Sequence, residues 1–199
     1  MSAFKGAFTT GRGGAHFVDG GQRYDSWTAR RIRELVAEWG VRYHRVAAGD
    51  SLVGLGGVGG LILHPNEEFV DTSGESPGGL NNGSVAFRLD YGEVNVLFTG
   101  DLEEETDGAI LAWGPRLAAQ LLKVAHHGSR TSSQSYFVEA VSPTLAIMSL
   151  GFENKFKHPA PEVVARYMEH GARVLRTDRT GAVRVRIDGV SMAVETMIE

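Results

Sequence analysis

The sequence predicts one layered α/β domain, a mixed sheet faced by helices. Two patterns and one quantity predict it. Short apolar, β-branched runs joined by Gly-containing turns fill the first half as hairpins, and strand and helix patterns alternate from about residue 94 onward. Hairpins leading into βα units fit a mixed sheet better than a purely parallel one. The 199 residues, 42% of them hydrophobic, are enough for one sizeable core, and no repeat or linker divides residues 1–199.

In chain order, Asp25 and Ser26 are candidate caps for a helix in which Trp27, Ile32, Leu35, Val36 and Trp39 recur at helical spacing and which Gly40 ends. Residues 41–46 read as a strand. The Gly-rich stretch 54–63 reads as a short hairpin ending at His64-Pro65, followed by a polar loop to about Asn82. The clearest hairpin pairs 84–90 with 94–99 around Tyr91-Gly92. Next come a helix over 103–113, a strand over 120–125, a helix over 132–141 and a strand over 144–150. Pro161 opens a helix that Gly171 closes, before strands at 173–177, 182–187 and 190–195.

Composition narrows the function. Lys and Arg number 20 against 24 Asp and Glu, a net charge of -4, which argues against wholesale electrostatic binding of nucleic acid. Cysteine is absent, which removes disulfides, thiolate zinc sites and cysteine nucleophiles and leaves His, Asp, Glu and Asn as possible metal ligands. The longest apolar runs, such as 144–150, are far shorter than the roughly 20 residues of a membrane span, so a soluble chain is expected.

The chemistry concentrates where strands end. Asp101 follows a buried-looking strand and Gly100, a position suited either to a cation ligand or to a helix N-cap. The strand ending at Ala125 delivers His126-His127-Gly128-Ser129, and neighbouring strands would bring Asp101 and one of these histidines to a shared metal. A hydrogen-bonded histidine pair in a turn is the alternative. The cluster 154–159, with Lys155, Lys157 and His158, should open onto the same edge. There it suits an anion or a leaving group, while Ser129, Thr131 and Ser132 offer hydroxyls before a helix. The alternative for His158 is a loop residue fixing the turn before Pro159.

These motifs carry a resemblance. Asn81-Asn82-Gly83-Ser84-Val85, Leu97-Phe98-Thr99-Gly100-Asp101, Leu122-Lys123-Val124-Ala125-His126-His127-Gly128-Ser129, His158-Pro159 and Arg176-Thr177-Asp178-Arg179-Thr180-Gly181 together resemble the metallo-β-lactamase-fold hydrolases of the ComEC-type branch. The likeness covers about residues 17–188. It implies an αββα sandwich, a Zn or Mn cofactor held weakly or incompletely, and a phosphodiester or nucleic-acid substrate. In that branch the fold forms a soluble domain beside the membrane channel of bacterial DNA-uptake proteins, and stand-alone relatives exist.

By the same likeness Asp101 takes the place of the metal-bridging aspartate and His127 that of the last histidine ligand. His126 then supports a ligand from behind or acts as an acid/base residue; beside it, the residue reading makes His158 an acid/base candidate and Ser129, Thr131, Ser132 and Lys155 candidate substrate contacts, with Asn81 standing where many members carry a third-motif histidine. The family's His-x-His-x-Asp-His motif is absent. Of its residue types only His16 and Asp19 stand nearby, in what resembles the following strand. The resemblance therefore implies an incomplete N-terminal part, as a fragment, a late-start product or a degenerate member, and the unusual stretch 1–14 favours truncation. Apolar inner-face residues Val85, Phe87, Leu89, Val96 and Phe98 would then lack cover, and self-association is expected. Alternatives are a non-catalytic binding module, or a hydrolase of another ester such as a phosphocholine ester or a lactone.

Overall fold

The computed structural model describes residues 7–11, 14–22, 26–70 and 79–198. Asp25, the middle of the polar loop and most of the stretch 1–14 lie outside them.

The elements are β1 (Ala7–Gly11), β2 (Gly14–Asp19), α1 (Trp27–Glu38), β3 (Arg42–Arg45), β4 (Ser51–Leu52), β5 (Gly59–His64), β6 (Ala86–Tyr91), β7 (Val94–Phe98), α2 (Asp107–Leu111), β8 (Leu121–Lys123), α3 (Ser135–Val141), β9 (Leu145–Met148), α4 (Pro161–Glu169), β10 (Arg173–Arg176), β11 (Val183–Ile187) and β12 (Met192–Thr196). A seven-stranded sheet runs in the order β10-β9-β8-β7-β6-β5-β4. Its β7–β10 pairings are parallel and its β4–β7 pairings antiparallel, the mixed sheet that the hairpin-then-βα order requires.

Side chains alternate across this sheet. Leu97, Leu122 and Ala146, in register on β7, β8 and β9, point to one face and are completely buried against Ile110, Phe137, Val138, Val141, Val163 and Tyr167 of α2, α3 and α4. Val96, Leu121, Leu145 and Leu175 point to the other face, where the β11–β12 hairpin covers them with Val183, Val185, Ile187, Met192 and Val194. Beside that hairpin Val18 and Val46, from the β1-β2-β3 sheet, pack on Ile62, Val85 and Phe87. With α1 against β3 the layers are helix, sheet, sheet, helix.

Three expectations need correction. Val96 is buried at 7% exposure, and Val85, Phe87, Leu89 and Phe98 are half-buried, with Phe87 stacked on Phe98 at 4.8 Å, so the inner face is largely covered. The helix expected over 103–113 is a 3-10 turn (Glu104–Thr106) followed by the five-residue α2, because Gly108 weakens the helix and Gly114-Pro115 ends it. The apolar stripe of α1 buries only Val36, while Trp27 is 74% and Trp39 71% exposed.

Candidate functional site

The site lies where β7, β8 and β9 end together, in the registers Phe98↔Lys123 and Lys123↔Ile147. Beyond β7 the Thr99 hydroxyl donates to the Lys123 carbonyl at 2.9 Å and ties the two strand ends together. Gly100 turns the chain at φ +56, where a Cβ would lie 2.6 Å from the Ser84 Cβ. The Asp101 amide donates to Ser84 Oγ at 3.1 Å, and its carboxylate is nearly buried, 3.6 Å from His127 Nε2. Asp101 is therefore not a helix cap; Glu103 and Thr106 hold the cap positions of the turn and helix that follow.

Beyond β8 the chain passes through His126 (φ 43) and His127 (φ 57), both left-handed without being glycine. Each such residue costs on the order of 1 kcal/mol, a cost that persists where surrounding contacts impose it. Those contacts are present. The His126 amide donates to the Gly100 carbonyl at 3.1 Å, and the Ala160 amide to the Gly128 carbonyl at 2.8 Å. The His127 ring faces the Ser149 carbonyl through Nδ1 at 2.6 Å. A carbonyl only accepts, so Nδ1 carries the proton and the Nε2 lone pair faces the Asp101 carboxylate. Two acceptors at that separation call for a cation between them, a proton or a metal ion.

His126 Nδ1 stands 2.9 Å from Glu103 Oε1, at ion-pair distance but without hydrogen-bond geometry. Glu103 is itself held, its amide donating to Asn82 Oδ1 at 2.8 Å and its carboxylate accepting from Thr131 Oγ1 at 2.9 Å. Asn82 is completely buried. Its Nδ2 donates to Glu105 at 3.0 Å, and its carbonyl accepts from His64 Nε2 at 2.7 Å. Of the adjacent asparagines it is thus Asn82 whose side chain joins the site, while Asn81 accepts from the Ser84 amide through its carbonyl at 3.0 Å.

The His158 ring lies edge-on to His126 with centroids 5.5 Å apart, so the cluster 154–159 does open onto this edge. Burial, then His126 and His127, lower the His158 pKa, and Asp101 opposes them. Asn154 fixes the backbone there, accepting from the His158 amide at 3.0 Å and donating to its carbonyl at 2.7 Å. Lys155 is exposed, its ammonium 5.1 Å from the Phe156 ring centre. Ser129 and Thr131 hydroxyls pair at 3.0 Å on the Glu103 side. Ser132 departs from expectation: its hydroxyl is buried and engaged within its own turn, donating to the Ala125 and Ser129 carbonyls at 3.1 and 2.9 Å. The helix expected at 132 begins at Ser135.

Sequence reading passed over Lys123 and Glu103 as site residues. Burial lowers the Lys123 pKa while Asp101 raises it, and its ammonium donates to the Val124 carbonyl at 2.8 Å. Its signal was a lone cation among apolar strand residues.

Whether this donor set fits a metal is a question of number. Asp101 and His127 present two donors side by side, yet among the described residues no three His, Asp or Glu side chains converge on one point. A catalytic metal ordinarily takes three protein ligands and an open position. The described residues therefore offer two candidate ligands, one fewer than such a centre ordinarily takes.

The αββα sandwich carries its Asp-His cluster at the ends of its parallel strands. Residues 27–151 match the profile of the Metallo-beta-lactamase superfamily, and the chain belongs to that superfamily. It is 31% identical over 156 residues to ComE operon protein 3 of Bacillus subtilis (strain 168), covering 78% of this chain and 19% of that protein. It is 40% identical over 130 residues to Competence protein ComA of Neisseria gonorrhoeae, covering 64% of this chain and 18% of that protein. The chain thus spans less than a fifth of either relative. Among solved structures, a variant of CmlA beta-hydroxylase aligns with a TM-score of 0.44 and 12% identity, over 88% of this chain and 51% of that one. No helix among the described residues is long and apolar enough to cross a membrane.

Proposed function

We propose that the chain is the metallo-β-lactamase-like domain of a ComEC-type DNA-uptake system and acts on phosphodiesters, with Asp101 and His127 as metal ligands and His126 and His158 as acid/base residues. The convergence of Asp101, His126, His127 and His158 at one strand edge carries this reading. Zn or Mn, once bound, would supply Lewis-acid chemistry. The chain's own side chains do the rest. Glu103 and the Ser149 carbonyl orient His126 and His127, Asn154 positions His158 as proton donor to the leaving oxygen, and Lys155 neutralises phosphate charge, with Ser129 and Thr131 at the margin. A second reading, a binding module without turnover, is favoured by the count of only two converged ligands.

Turnover of bis(p-nitrophenyl) phosphate and of short DNA strands, with added Zn²⁺ or Mn²⁺, separates the two. His158→Ala is expected to lower kcat by about 10²-fold or more with little change in KM, the signature of a group acting in the transition state. An unchanged kcat makes His158 a loop residue. Absent turnover with DNA binding retained supports the binding module.

A further inference from the structure

The loop 151–158 keeps two phenylalanine rings in solvent, Phe156 at 60% and Phe152 at 77% exposure, and of these Phe156 meets the histidine cluster. Single exposed apolar residues are ordinary, so exposure alone decides nothing. The arrangement decides. The Phe156 ring lies within 14° of parallel to His158, centroids 5.9 Å apart, and His158 in turn meets His126. At that separation parallel rings are offset rather than face to face, which leaves Phe156 as an outward step of the same aromatic surface. The step has a rigid base: Leu150 is bonded through both its amide and its carbonyl to Thr177 Oγ1, each at 2.8 Å, and Asn154 clamps His158 from inside the loop. Lys155 stands over the same ring through a loose cation–π contact at 5.1 Å.

We propose that Phe156 is a stacking platform for one nucleobase of single-stranded nucleic acid, with Lys155 pairing the phosphate beside that base. The inference rests on the phosphodiester reading above and adds strand selectivity to it. A ring fixed next to the cluster accepts the π-face of any base, so recognition is sequence-tolerant. Bases in a duplex are already stacked on both sides, and their faces are not available to it. Lys155 is exposed and only loosely held, so it turns from the ring to a phosphate without breaking a buried contact.

Fluorescence anisotropy of the full chain tests this without needing turnover, using an oligothymidylate of about ten nucleotides, its abasic counterpart and a duplex. The oligothymidylate is expected to bind more tightly than either of the others. Phe156→Ala is expected to weaken its binding about tenfold, the usual loss for one stacked base, and to leave the abasic strand within about twofold. Phe156→Trp is expected to restore affinity and to show tryptophan quenching on binding. Lys155→Gln should reduce the slope of log affinity against log salt by about 0.7. Equal binding of base-bearing and abasic strands, no effect of Phe156→Ala, or equal losses in Phe156→Ala and Phe152→Ala each overturn the platform. Hydrolysis that proceeds unchanged in Phe156→Ala leaves the phosphodiester reading standing and removes the platform. Base-dependent binding without hydrolysis does the reverse.

Discussion

Acidification from pH 7 to pH 4.5 titrates two buried groups whose effects on stability oppose each other. His64 is completely buried, and burial pushes its pKa from 6.5 down to about 4 against the opposing bond to the Asn82 carbonyl. The unfolded chain takes that proton first, so stability falls as pH drops from 6.5 to about 4. At about 1.4 kcal/mol per pH unit the interval is worth roughly 3 kcal/mol. Asp107 is nearly buried, and burial pushes it from 3.8 up to about 6, with Tyr136 opposing and Glu104 and Glu105 adding to the rise. Here the folded chain takes the proton first, so stability rises as pH falls from about 6 to 3.8, again by roughly 3 kcal/mol. Between pH 7 and 4.5 the two nearly cancel. Asp107→Asn removes the compensating limb, and its stability is expected to drop by roughly 2 kcal/mol more than the wild type's over that interval. His64→Gln is expected to reverse the sign, being relatively more stable at pH 4.5. Urea unfolding of all three proteins at both pH values measures these differences directly. The same pH dependence in wild type and both variants would refute the assignment of either group.

Other outcomes follow from the site and its supports. Gly128→Ala would place a Cβ 2.7 Å from Pro159 Cβ at φ +80 and should cost about 1–3 kcal/mol, while Gly151→Ala, with nothing within 4 Å, should be neutral; thermal melts compare them. Metal analysis after dialysis with Zn²⁺ or Mn²⁺ should find fewer than two ions per chain, reduced further by Asp101→Asn or His127→Ala. Two ions held tightly would require ligands beyond this pair. The exposed ends of α1 should drive concentration-dependent self-association in light scattering, diminished in Trp27→Ser/Trp39→Ser, and a monomer at all concentrations would contradict this.

The sequence by itself determined the mixed sheet, the order of its strands along the chain and the motif positions that gather at one edge. These follow from local patterns: the alternation of Val96, Leu97 and Phe98, the turn glycines, and the strand-end placing of Asp101 and His127. Family likeness added the αββα layering. Tertiary structure decided what depends on distant partners. It chose Asn82 over Asn81, because only the former lies between His64 and Glu103. It engaged the Ser132 hydroxyl inside its own turn, where it donates to the Ala125 and Ser129 carbonyls. It also exposed the two tryptophans of α1, since helical periodicity states which residues share a face but not how much sheet stands opposite to cover them.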